Sequence, residues 1–128
     1  MNAFIIEIAN RPGELARIAA TLGEAGVNIS TGAGIGLATT GGFGFLTDDE
    51  AAAKRALDSA GISYRTVGVV TVNVADQPGG LASVARRLAD ANVNIEFVIP
   101  TSTGATRSVA IGVEDASAAG AALGDLAG

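Results

Sequence analysis

Two stretches decide the fold: Asn10-Arg11-Pro12-Gly13-Glu14-Leu15 and, 66 residues further on, Asp76-Gln77-Pro78-Gly79-Gly80-Leu81. The same offset lays Val27-Asn28-Ile29 over Val93-Asn94-Ile95, and ten of the twenty residues from 10 to 29 equal their partners without a gap. The register persists to Asp49 over Asp115 and Leu57 over Leu123. Self-similarity at a fixed period marks a duplicated supersecondary unit. The chain therefore reads as two repeats, 1–67 and 68–128.

Within a repeat the elements follow from composition and spacing. Phe4 to Ala9 is short and apolar, as a strand is, and Val69 to Ala75 is its counterpart. The Pro-Gly pair ends each strand and opens a helix, which puts Pro12 and Pro78 near the first helical position. Leu15, Ile18, Ala19 and Leu22 recur at helical spacing, as do Leu81, Val84, Ala85 and Leu88; both stripes are expected in the core. Glu14, Arg17, Thr21 and Glu24 are expected on the opposite face. Val27 to Ser30 and Val93 to Val98 read as second strands, Phe43 to Leu46 and Ser108 to Val113 as third strands.

Acidic residues follow in both copies, Asp48-Asp49-Glu50 and Glu114-Asp115, where a helix start favours negative charge. Ala53, Ala56, Leu57 and Ala60 form one face of a second helix stopped by Gly61, and Ala119, Ala122, Leu123 and Leu126 repeat it. Ile62 to Val67 is the expected fourth strand of the first copy. Each unit is thus βαββαβ, an α+β ferredoxin-like arrangement, and the second lacks its final strand because Gly128 aligns with Ile62. The first strand of that second copy is expected to keep an unpaired edge, which a subunit contact would cover.

Composition narrows the chemistry. A unit of about 60 residues buries only about 60% of its unfolded surface, so two packed units gain stability from a larger core. The chain of 128 residues is 48% hydrophobic and 16% charged, a globular balance. A net charge of −5 with eight scattered basic residues argues against nucleic-acid and anionic-membrane partners. No apolar run reaches the length of a membrane span and no leader pattern opens the chain, so a cytoplasmic location is expected. The absence of Cys and His removes thiolate and imidazole catalysis and the usual transition-metal ligands. No catalytic residue, metal site or cofactor is expected.

A βαββαβ unit with Asp/Asn-x-Pro-Gly-x-Leu at the first strand–helix junction and Val-Asn-Ile after the first helix resembles the ACT domain. The resemblance covers essentially the whole chain as a tandem pair. It implies a regulatory module, not an enzyme, that binds a free amino acid at an interface between ACT-like units. The vacant edge of the second repeat motivates a homodimer, or a swap in which another segment fills the gap, and the regulatory role implies a partner enzyme of amino-acid metabolism. Carried over position by position, the ligand-binding region comprises Asn10, Arg11, Pro12, Gly13, Glu14, Leu15, Asn28 and Ile29 in the first repeat. In the second it comprises Asp76, Gln77, Pro78, Gly79, Gly80, Leu81, Asn94 and Ile95.

The residue chemistry fits that role. Helix N-termini donate N–H groups to a carboxylate, Gly13 and Gly79 allow close backbone approach, and Asn10 or Asp76 offers oxygens to an ammonium. Plainer readings stand beside these. Asn10 and Asp76 would equally serve as helix caps, Pro-Gly as a sharp turn, and Asn28 and Asn94 as partners of local backbone. Arg11, Arg86 and Arg87 fit a solvated surface. Gly32-Ala-Gly-Ile-Gly36 follows a strand and precedes another, so it reads as part of a mobile hairpin rather than a dinucleotide-binding turn. A dimerisation module that binds no ligand is the alternative function.

Overall fold

The apolar run Asn2–Ala9 forms β1, and the β-branched and aromatic segments after it form the rest of a three-stranded ladder in the computed structural model, which describes residues 1–101 and 107–126. By its internal contacts the chain divides into two units, Asn2–Thr66 and Val67–Gly128, with Met1 grouped with the latter. In the first unit α1 (Glu14–Glu24), β2 (Ile29–Leu37), β3 (Thr40–Thr47) and α2 (Glu50–Ser59) follow β1. β3 lies between β1 and β2 and is antiparallel to both. Phe4 opposes Phe45 and Ile6 opposes Phe43, so the period of two directs these four side chains toward the helices. There they meet Ile18, Leu22, Val27, Ala53, Leu57 and Ile62. Phe4 and Phe45 stack with ring centroids 5.1 Å apart.

The second unit repeats this order. β4 (Arg65–Val74), α3 (Gly80–Asp90), β5 (Ile95–Pro100), β6 (Arg107–Val113) and α4 (Ala116–Leu123) are followed by a 3-10 turn at Gly124–Leu126. β6 lies between β4 and β5, antiparallel to both. Val72, Val84, Leu88, Val93, Ile111, Ala119 and Leu123 form its core. Each stands 66 residues beyond Ile6, Ile18, Leu22, Val27, Phe45, Ala53 and Leu57 of the first core. The fold is α+β, two ferredoxin-like repeats, the second showing no fourth strand among the described residues, with the first and third strands of each repeat as neighbours. The end of the alignment at Gly128 lies outside the described residues.

Several local expectations are corrected. Ile62–Tyr64 are irregular, and the strand begins only at Arg65 and runs unbroken to Val74. No proline interrupts that β-branched run, and a single Gly68 does not break a strand. Pro12 and Pro78 do lie near the helix starts, two residues before Glu14 and Gly80. The N-caps are Gly13 and Gly79, at φ +93° and +85°, a left-handed conformation that costs other residues about 1–2 kcal/mol. Leu15 and Leu81 are half-exposed, and Ala19 is exposed as well, whereas Glu14 is buried. The core face of α1 runs through Glu14, Ile18 and Leu22. Glycines 32, 34 and 36 lie within the β2–β3 ladder, beyond its register shift at Ile29–Thr31, and the hairpin turns at Ala38–Thr39. The hairpin itself is as expected.

Candidate functional site

Each unit has a cleft where the Pro-Gly loop and the first turn of its first helix face the far end of its hairpin. In the first unit Asn10, Arg11, Glu14 and Leu15 meet Gly34, Gly36 and Phe43 around about 290 Å³. In the second, Asp76, Gln77, Pro78 and Leu81 meet Val98, Pro100, Arg107 and Val109 around about 720 Å³. The two clefts occupy equivalent places, since Val74 stands for Ile8, Asp76 for Asn10, Leu81 for Leu15 and Val109 for Phe43. The half-exposure of Leu15 and Leu81 follows from this, because both help to wall an open cleft.

Their polar chemistry differs. Asn10 does not cap α1; its Nδ2 donates to the Ala38 carbonyl at 2.9 Å, and its backbone N–H donates to the Thr39 carbonyl at 3.0 Å. The loop is thereby tied to the hairpin turn. Gly36 permits the approach, because a Cβ there would stand 2.7 Å from Asn10 Nδ2. Arg11 Nε donates to Glu14 Oε1 at 2.8 Å and Arg17 Nη2 to Oε2 at 3.1 Å. These two guanidinium hydrogen bonds, Arg11's first, hold the Glu14 carboxyl below its ordinary pKa against the opposing effect of desolvation. Arg11 is therefore engaged rather than merely solvated.

In the second unit Asp76 does not cap α3 either. Its Oδ2 forms an ion pair with Arg107 Nε at 3.1 Å, and both side chains are well exposed. Gly80 replaces Glu14, and a Cβ at Gly80 would collide with the Ala75 carbonyl oxygen. Gly13 and Gly79 have open space at the Cβ position, so their glycine requirement comes from backbone angle.

The structure brings Asn10, Arg11, Glu14 and Leu15 together, and likewise Asp76, Gln77, Pro78 and Leu81. It separates them, within a unit, from the Val-Asn-Ile segments. An eleven-residue helix spans about 16 Å, and Asn28 and Asn94 lie beyond its far end. Both asparagines are exposed, while Ile29 and Ile95 pack against the cores. Asn94 Nδ2 donates to Glu96 Oε1 at 3.5 Å. Arg107 and Arg17 were not legible as site residues, because only the hairpin register and the helix turn place them; the spacing of Arg17 from Glu14 was the available signal. Among the described residues no helix is long and apolar enough to cross a membrane, and no three His, Cys, Asp or Glu residues gather as a metal site.

These features define a duplicated α+β module with an open cleft beside each Pro-Gly loop. The family model of the ACT domain matches residues 68–128. Curated proteins give no match by sequence. Among solved structures, a protein of Bacteroides thetaiotaomicron is similar at a TM-score of 0.77 and 22% identity, over 98% of this chain and 91% of the other. The ligand-free regulatory subunit of aspartate kinase from Thermus thermophilus is similar at a TM-score of 0.68 and 24% identity, over 98% and 91%. The regulatory subunit of aspartate kinase from Thermus flavus gives a TM-score of 0.61 and 25% identity, over 97% and 91%.

Proposed function

We propose that this chain is a regulatory subunit that binds a free amino acid and passes the bound state to a partner enzyme of amino-acid metabolism. The observation that carries the reading is the ACT match over 68–128 at the repeat whose Pro-Gly loop borders an open cleft. Full-length likeness to regulatory subunits of aspartate kinase supports it. A ligand that favours one packing of units over another carries a signal without chemistry of its own.

The Pro-Gly loop supplies N–H donors and the ammonium partner, and a Val-Asn-Ile segment completes the site. Within a unit that segment is a helix length away, so it reaches the loop from another copy of the unit. A homodimer provides such copies. Ile35 and Leu37, both more than half exposed on β2, supply an apolar surface suited to that association.

A thermal-shift screen of the full chain against free amino acids tests the proposal. Asn28→Ala and Asn94→Ala should each weaken binding of a ligand so found, by about 0.5–1.5 kcal/mol for a neutral contact. If no amino acid shifts the melting point and the chain still dimerises, it is an association module instead.

A further inference from the structure

The two clefts of the duplicated scaffold carry different charge pairs: Arg11 with Glu14 beside the first, Asp76 with Arg107 across the second. In the second unit Arg107 Nε and Asp76 Oδ2 form an ion pair at 3.1 Å, with side-chain exposures of 63% and 64%. An exposed pair of this kind adds little to stability, so opening it costs little. In the first unit the same two positions are Asn10 and Gly41. Neither bears charge, and the Asn10 amide is already bonded to the Ala38 carbonyl. Behind the pair the second cleft is walled by Val74, Leu81, Val98, Pro100 and Val109. Leu81 is 51% exposed there, although its helix has a buried face available.

We infer that this cleft of the second unit holds an amino acid with an aliphatic side chain, with Asp76 and Arg107 parting to take the two charges of its zwitterion. Asp76 accepts hydrogen bonds from the ammonium, and the Arg107 guanidinium donates two parallel hydrogen bonds to the carboxylate. The side chain lies against the valine, leucine and proline wall. A charged side chain would lose water there and find only the Gln77 amide, besides the pair itself, among the lining side chains to replace it. The inference rests on the proposed function and adds the cleft, the anchoring residues and the ligand class.

Calorimetry on the full chain tests it with L-leucine, L-valine, L-aspartate and L-lysine, together with isoamylamine and isocaproate, which each lack one of the two charges. Leucine or valine should bind, and either single-charge analogue should bind at least tenfold more weakly. Asp76→Asn and Arg107→Gln should each weaken leucine binding by about tenfold to a hundredfold, the range for a hydrogen bond to a charged group. Arg107→Lys should retain part of the affinity. Circular dichroism should show all three variants folded, as their exposed positions require. Leucine binding unchanged in both Asp76→Asn and Arg107→Gln, or binding confined to aspartate or lysine, would overturn the inference and leave the amino-acid reading intact. Binding of none of the twenty amino acids would overturn both.

Discussion

Glu14 sits between two guanidinium groups, 2.8 Å from Arg11 and 3.1 Å from Arg17, with its side chain only 11% exposed. Its carboxyl is held below the ordinary value of 4.5 in the folded chain. The contribution of this pairing to stability is therefore complete above pH 4.5 and is lost as the pH falls through the depressed folded value. Melting curves of the parent and Glu14→Gln should converge as the solution is acidified, with the parent losing the larger share. A parent whose advantage persists unchanged in acid would contradict this. Tyr64 offers a cleaner titration, since it is the one tyrosine in a chain without tryptophan. Partial burial, and then its hydrogen bond to Asp58, raise its phenol above 10.0. Ultraviolet titration should give a midpoint above 10.0, and Asp58→Ala should lower it without restoring the free value. Glu14 shows what sequence conceals at this scale. A charged residue on a helix reads as solvated, and only its two arginine partners make burial affordable. Leu15 conceals the opposite, because its apolar side chain borders a cleft and not the core.

The helix termini were the most legible elements. Asp49 and Asp115 each accept a hydrogen bond from the backbone three residues on, at 3.0 Å from Ala52 N and 2.9 Å from Ala118 N. Replacing either by Ala should cost about 1 kcal/mol, read as a lower denaturation midpoint at constant slope. Gly61, at φ +70°, stops α2 as its sequence position indicates. The first helices were harder to place. Their Pro-Gly starts fixed the region but not the phase, because each helix begins after a left-handed glycine and not at the proline. One residue of phase exchanges Leu15 for Glu14 on the buried face. Strand boundaries failed for a similar reason: nothing between Arg65 and Val74 marks where one repeat ends, so β4 runs across the junction. Arg87 also gained a role that spacing does not reveal. It donates to the Leu123 carbonyl at the end of α4 and to Asp125, which ties two helices distant in sequence.

At the scale of the molecule the offset of 66 residues organises both cores, and this was readable because packing depends on which positions are apolar. Leu22 and Leu88 are equivalent and fully buried. Leu22→Ala and Leu88→Ala should each cost about 2–5 kcal/mol. Leu81→Ala, at a half-exposed position seven residues before Leu88, should cost far less; a loss as large as that of Leu88→Ala would contradict its place in the cleft wall. The clefts were legible only in part. The Pro-Gly loops announced themselves, but Arg107 reaches its place through the pairing of β4 with β6, which brings Val74 opposite Arg107. In the proposed function this duplicated fold holds a free amino acid. Its most direct test is the melting point of the full chain in the presence of each amino acid. A ligand at about 100 times its dissociation constant adds about 2.7 kcal/mol, which raises the midpoint of a chain this size by several degrees. At least one amino acid should do so with saturable dependence on concentration, and the absence of any such shift across all twenty would contradict the claim.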